Sequence, residues 1–553
     1  MSNGARALLD TLMNGGVDVC FSNPGTSEMH FVAALDSTDM HAVLCLFEGV
    51  ATGAADGYAR IAEKPAATLL HLGCGLGNGL ANLHNARKAR VPIVNIVGDH
   101  ASYHTQYDAQ LQSDIETVAR NVSTWVRTTE TTEKLASDAV EAIEVAKGPA
   151  EQISTLILPA DVSWGTEGAV AKTMPEPEAV PLADEGVMQK AASCLKENGK
   201  KTAMLLGRRV LLEEGLVAAS KIAEKTGAKL FCEVFPTRLE RGAGLPHVER
   251  IAYLAEVAGV QLSGFDNLIV IDTKAPVSFF AYPKKKSYLV PEGCEVHLLV
   301  IPEQDAVGSI KQLVDLVGAT DTPPKLQEAV RPKLPDGKFT PTKVCQAIGA
   351  LLPENAIISD EAQTSGVKLP NFTAGAPRHD VLTLTGGAIG QGIPVAVGAA
   401  VAAPDRPVIA IIGDGTAMYT IQALWTIMAE NLNVTTIIMN NRSYGILNVE
   451  LERVGADASA GPKAKAQLDL SQTPIDFVEI AKGMGMPGQR VTTTKEFNDA
   501  LANAIRTPGP CLIDTIVPSE FEGLKLKALP KILGAMEKMP TPIGKAIKKK
   551  LMP

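Results

Sequence analysis

Asp414 and Asn441 stand 27 positions apart, in Gly413-Asp414-Gly415 and Asn440-Asn441. Each directly follows an apolar, β-branched run, Val408 to Ile412 and Val434 to Met439. The intervening stretch, Tyr419 to Asn431, has room for one crossover helix. The pattern predicts a strand–helix–strand unit with parallel strands and a right-handed crossover. Both polar residues then fall at the carboxyl edge of one sheet, where open α/β sheets bind ligands. A carboxylate and an amide oxygen there form a hard-oxygen half-shell of the kind Mg²⁺ takes alongside ligand phosphates. Gly415 and Thr416 open the next helix, so backbone N–H groups and a hydroxyl face an anion. The expected ligand is a diphosphate held through Mg²⁺.

A second group lies near the start of the chain. Glu48 opens a run of small residues, Gly49 to Ala59, that ends at Arg60. A negative charge favours a helix N-terminus by about 0.3–1 kcal/mol, which could be its whole role. A helix of mostly Ala and Gly also lets other backbone pack close, and a carboxylate in such a seam can share a proton with a ligand nitrogen. Asn23-Pro24-Gly25-Thr26-Ser27-Glu28 reads as a strand-to-helix loop whose hydroxyls cap a helix or face a ligand. His71 ends the run Ala66 to Leu70, and structural and catalytic roles are equally open to it. Asp99-His100 and His104 follow another strand, whereas His84 and His379 have no supporting neighbours and are expected in solvent or at caps. The run Gly73-Cys74-Gly75-Leu76-Gly77-Asn78-Gly79 reads as a loop, but no register of it completes the dinucleotide-binding pattern, so NAD is excluded.

These residues sit in a chain of 553 residues, 46% hydrophobic and 20% charged, enough for about three domains. A net charge of −9 argues against nucleic acid as a partner. No signal peptide or long apolar stretch is evident. The eight cysteines form no C-x-x-C pair. Cys20, Cys45, Cys232 and Cys511 read as reduced core residues, so the cytoplasm is the expected location. Stretches rich in Pro at 165–185 and 319–342 cut the chain into α/β domains at 1–165, 186–320 and 342–520, each expected to be a doubly wound parallel sheet, before a basic tail at 521–553. The outer blocks each close with Gly-Pro, an apolar strand and a second Pro, which duplication and chance explain equally well.

The chain resembles the thiamine-diphosphate-dependent decarboxylase and acetolactate synthase group, and within it benzoylformate decarboxylase most. Asn23-Pro24-Gly25, Glu48 with Tyr58-Ala59-Arg60, and Gly413-Asp414-Gly415 with Asn440-Asn441 occur in that family's order and spacing, over about residues 1–520. The resemblance implies pyrimidine-binding, middle and diphosphate-binding domains. It implies that Glu48 protonates the aminopyrimidine, that Asp414, Asn441 and the backbone oxygen of Ser443 hold Mg²⁺, and that Gly413, Gly415, Thr416 and Thr364 touch the diphosphate. Asn23, Pro24, Gly25, Gly387, Tyr444, Gly445 and Ile446 would also line the cofactor, with Ile389 as the wedge that bends it. The implied reaction is non-oxidative decarboxylation of a small 2-oxo acid, with or without carboligation to an acyloin. The implied assembly is a homodimer or homotetramer with active sites at subunit interfaces.

The chain departs from the group at three places. His71 matches one active-site histidine of benzoylformate decarboxylase, but Ala281 occupies the place of the second. Either the substrate differs or another group, such as His100 or His104, substitutes. The segment Asp108 to Asp114 lacks the aromatic and the glutamine that acetolactate synthases carry at their usual places, and the middle block shows no flavin pattern. An acetolactate synthase condensing two pyruvates, and an inactive cofactor-binding relative, are the alternatives. The basic tail reads as a solvated terminus, a lid, or, last, a membrane-surface helix. Thr26, His71, Ile446 and Leu447 are expected pocket walls, Ile446 narrowing the acyl side.

Overall fold

The computed structural model describes residues 3–176, 179–283 and 285–519, with residues 528, 532, 533 and 535 beyond them. The expected role of the basic tail lies almost wholly outside the described residues.

Three sheets form, as the alternation of apolar runs predicts. The first holds β1 (Val19–Asn23), β2 (His41–Leu44), β3 (Ala66–His71), β4 (Ile93–Asp99), β5 (Trp125–Thr128) and β6 (Ile153–Pro159), in the order β2-β1-β3-β4-β6-β5. The second holds β7 (Thr202–Leu206), β8 (Lys229–Cys232), β10 (Glu249–Arg250), β11 (Asn267–Ile271) and β12 (Glu295–Val300), in the order β10-β8-β7-β11-β12. The third holds β13 (Ala356–Glu361), β14 (His379–Thr383), β15 (Val408–Gly413), β16 (Val434–Asn440), β17 (Gly488–Val491) and β18 (Cys511–Ile516). Its seventh strand, β9 (Leu239–Arg241), comes from the middle segment and pairs antiparallel with β14. The middle segment is therefore less self-contained than the linker positions suggest. All other pairings are parallel.

The predicted unit around Asp414 is present. β15 and β16 pair in parallel with Gly413 opposite Met439, and the crossover carries the helix Ala423–Ala429. Apart from the added β9, the third sheet reproduces the first: its strands, taken in chain order, lie second-first-third-fourth-sixth-fifth, the same as β1 to β6. The likeness at the two block ends thus extends to topology.

The outer domains join along the helices Glu48–Ala62 and Gly392–Ala402, each of which follows the second strand of its sheet. Glycines decide how close they come. A Cβ at Gly57 would overlap the carbonyl of Val395, and one at Gly398 that of Ala54. Val50, Ala51, Ala54, Val395, Ala396 and Ala399 belong to one buried core that spans both domains, whereas the middle domain has its own. No helix among the described residues is long and apolar enough to cross a membrane. None of the eight cysteines forms a disulfide; Cys20, Cys45 and Cys232 are buried as expected, but Cys511 is only half-buried, whereas Cys345 lies in the core.

Candidate functional site

Chain reversal in strand order leaves a crevice at the carboxyl edge of each outer sheet, between β1 and β3 in the first and between β13 and β15 in the third. Such switch points are where ligands bind in open α/β sheets. The candidate residues gather at these two edges.

In the first domain, Glu48 opens its helix and is buried, with Oε2 accepting a hydrogen bond from Asn78 Nδ2 at 3.0 Å. His71 ends β3, half-buried. Glu48 and His71 are neighbours across Gly75: a Cβ there would lie 3.0 Å from Glu48 Oε1 and 3.4 Å from His71 Cβ. This is what the glycine run is for. Gly73 to Gly79 is not a loop but the start of the helix Leu72–Ala89, and Gly75 lets that helix pass close to Glu48 as Gly79 does to Thr52. Sequence reasoning took the glycines as punctuation and missed the packing.

It also missed Glu28 as more than part of a loop. Glu28 is buried, its Oε2 accepts from Gly25 N at 2.7 Å and lies 2.8 Å from His71 Nδ1, and its Oε1 has no partner. Burial raises its proton affinity above the ordinary carboxylate range, against the lowering contributed by Gly25 and His71. Asn23, Pro24 and Gly25 end β1 beside this pair, and a Cβ at Gly25 would overlap the His71 ring. His100 follows β4, whose Gly98 lies opposite His71; its ring is tilted against His104 at 5.3 Å between centroids, and its buried Nε2 has no partner. His84 is neither in solvent nor a cap, for its Nε2 lies 3.1 Å from the carbonyl of Gly386 in the other domain. His379 is buried in β14, because its backbone continues an apolar strand.

In the third domain, Asp414 follows β15 and is buried. Its Oδ1 accepts from Gly415 N at 2.9 Å and its Oδ2 from Arg442 N at 2.5 Å. Desolvation pushes its pKa up to about 6 despite these bonds. Among the described residues no Lys or Arg pairs with it, so the buried carboxylate lacks a counter-charge. Asn441 Oδ1 accepts from Ser443 N at 3.0 Å, and the Ser443 carbonyl accepts from Gly445 N at 2.8 Å. A carboxylate, an amide oxygen and a backbone carbonyl are hard donors that fit Mg²⁺. Gly413, Gly415 and Thr416 surround Asp414, with the Tyr444 ring lying against Gly415. Thr364 Oγ1 would lie 3.2 Å from a Cβ at Gly445. Ile446 and exposed Leu447 sit on the helix Gly445–Arg453.

The segment Gly386 to Gln391, with half-buried Ile389, is clamped from several sides. Asn85 bonds both the N–H (3.1 Å) and the carbonyl (2.8 Å) of Ala388. Asn82 Nδ2 bridges the Gly390 carbonyl at 3.2 Å and the Gly49 carbonyl at 2.7 Å. Glu361 accepts from the N–H groups of Gly390, Gln391 and Gly392 at 2.8, 3.1 and 2.6 Å. Gly387 and Gly390 have φ of +78° and +97°, which L side chains rarely adopt. The turn is fixed by side chains from both domains, and the residue beside Glu48 is tied to it.

The patterns of known families match these two regions. Residues 2–120 match the N-terminal, and residues 364–515 the C-terminal, TPP-binding domain of thiamine pyrophosphate enzymes. A Mycobacterium tuberculosis protein named "Putative acetolactate synthase large subunit IlvX" is 57% identical over 518 residues, 94% of this chain and 99% of that one. The chain belongs to the thiamine pyrophosphate enzyme family. Benzoylformate decarboxylase of Pseudomonas aeruginosa is 29% identical over 553 residues, covering 93% of this chain and 98% of that enzyme. The solved structure of a thiamine diphosphate-dependent 4-hydroxybenzoylformate decarboxylase from Rhodococcus jostii superposes with a TM-score of 0.82 at 24% identity, over 94% of this chain and all of that one. At that identity the likeness supports the fold.

Proposed function

We propose that the protein is a thiamine-diphosphate-dependent lyase that removes carbon dioxide from a small 2-oxo acid, with or without carboligation to an acyloin. The observation that carries this reading is the division of labour between two equivalent edges: buried proton-handling groups at one, a buried carboxylate without a counter-charge at the other. Asp414, Asn441 and the Ser443 carbonyl would hold Mg²⁺. Gly413, Gly415, Thr416 and Thr364 would receive the diphosphate, and Asn23, Pro24, Gly25, Gly387, Tyr444, Gly445 and Ile446 the remainder of the cofactor. When bound, the cofactor supplies the electron sink that lets carbon dioxide depart.

The protein's own part is orientation and proton handling. Glu48, its carboxylate kept in place by Asn78, would share a proton with the ring end of the cofactor. Ile389, between Ala388 and Gly390 whose N–H and carbonyl groups are both bonded, presents a fixed apolar wedge. His71 handles the proton at the reacting carbonyl. Leu44 and Leu46, just before Glu48, and Met418 and Tyr419, just after Asp414, are large and exposed. Exposed apolar groups beside both edges favour a dimer or tetramer in which the edges of two chains face each other.

The test is carbon dioxide release from pyruvate, benzoylformate and branched 2-oxo acids with thiamine diphosphate and Mg²⁺ added, and products identified. Cofactor binding without release from any of them overturns the proposal. The name of the M. tuberculosis relative favours acetolactate formation as the second reading; acetolactate accumulating from pyruvate selects it.

A further inference from the structure

We propose that Glu28 and His71 act as one proton-sharing pair, Glu28 serving as the positioning and relay residue behind the imidazole. The inference rests on the lyase reading for its substrate, but its structural basis is separate. The pair sits at the switch point of the first sheet, Glu28 in the turn after β1 and His71 at the end of β3. The Glu28 side chain has no exposed surface and His71 keeps 22% of its own, so the buried member meets the cleft only through the imidazole. One oxygen of Glu28 is committed to Gly25 N and His71 Nδ1, while the other has no partner. A buried polar atom without a partner costs about 1–3 kcal/mol, and such a cost is commonest where a group has work to do.

Of the other titratable groups on the elements packed around Glu28, His100 lies against His104 with its buried Nε2 unpartnered, and the rest are engaged elsewhere. Asp99 Oδ1 accepts from His100 N at 2.7 Å, Asp161 bonds Ser102, and His30 packs on Trp164. Glu48, across Gly75, bonds Asn78. Of the titratable side chains named, His71 alone bonds Glu28. With the shared proton on Glu28 Oε2, imidazole Nδ1 accepts and Nε2–H is free to donate. As Nε2 gives its proton to the carbonyl oxygen of the substrate, Nδ1 takes the Glu28 proton, leaving a neutral imidazole and a carboxylate held by Gly25 N–H. The reverse sequence, with a proton from solvent, restores the pair after product leaves.

The experiment compares wild type with Glu28→Gln, Glu28→Asp and His71→Gln. Glu28→Gln keeps size and hydrogen bonding but not the proton, so thiamine diphosphate affinity, read by fluorescence quenching, should stay within about twofold. The kcat on pyruvate or benzoylformate should fall about 10²-fold, lose one limb of its pH profile, and recover in part with Glu28→Asp. Unchanged kcat and pH profile in Glu28→Gln overturn the pair. Infrared difference spectra of the cofactor-free proteins need no turnover: a protonated carboxyl band absent from Glu28→Gln and displaced in His71→Gln supports the pair. A Glu28 carboxylate indifferent to His71 refutes it. If wild type turns over neither these two acids nor branched 2-oxo acids, the lyase reading fails while the spectra still decide the pair.

Discussion

The first and third domains share a strand order but not a chemistry. The third strand ends in His71 in one and leads into Asp414 in the other; the fourth leads to His100 in one and to Asn441 in the other. Topology therefore fixes where functional side chains can stand, and residue identity at the strand ends fixes what they do. The middle domain supplies the contrast. Its own switch point, at the ends of β7 and β11, is filled by Arg90, whose Nη2 donates to the Asp272 carbonyl at 2.6 Å, and by Arg208 paired with Glu151 and lying 3.9 Å from Asp272. At this edge these carboxylates are paired with arginines of the protein itself, whereas Asp414 at the third edge has no Lys or Arg partner among the described residues.

The sharpest way to break the comparison is to neutralise the acid of the first edge. Glu48→Gln should bind thiamine diphosphate and Mg²⁺ nearly as wild type yet lose about 10²–10⁴-fold in turnover. Steady-state kinetics beside a binding titration check it, and full activity would remove the proton role. The corresponding change at the third domain should do the opposite. Asp414→Asn should weaken Mg²⁺-dependent cofactor binding by about 10²-fold, measured by calorimetry. Because it also removes a desolvated charge, the cofactor-free variant should unfold at the same temperature as wild type or higher.

The Asp414 edge was legible because each feature was local: two apolar strands, one crossover and polar residues at the strand ends. The same locality made the three sheets and the Glu48 helix readable. What escaped was long-range. Glu28 lies three residues after Gly25, a spacing that also makes a capping box, and only the fold brings His71 to it. Asn82, Asn85 and Glu361 are ordinary in sequence and clamp the Ile389 turn only once distant elements meet. Leu239–Arg241 gives no sign that it will cross to another sheet.

That borrowed strand distinguishes the outer domains and has a pH signature. His379, in β14 opposite Arg241 of β9, is buried with Nε2 unpartnered and Nδ1 2.7 Å from the Pro377 carbonyl. Burial, then Arg241, holds its pKa down to about 4 from 6.5. The unfolded chain thus binds a proton that the folded chain refuses, so the contribution of His379 to stability should fall by on the order of 3 kcal/mol as pH drops from about 6.5 towards 4. Denaturant midpoints of wild type and His379→Gln across that range measure it as the difference between the two pH profiles, which leaves out His247 and the buried carboxyls common to both.

The smallest expected effect concerns which acid fits between the two edges. Ile446 follows Gly445 at the start of its helix, half-buried, close in sequence to the Mg²⁺ candidates and on the third domain alone. If its branched side chain limits the acyl group, Ile446→Ala should shift the ratio of kcat/KM for benzoylformate over pyruvate upward by about tenfold, the scale at which one or two methylenes in an apolar pocket discriminate. Because Ile446 is also placed beside the cofactor, thiamine diphosphate affinity is titrated in parallel, and the ratio of the two substrates cancels any common loss of cofactor binding. An unaltered ratio would move the specificity wall to the first domain, to Thr26 and His71, and would assign substrate choice as well as proton transfer to that edge.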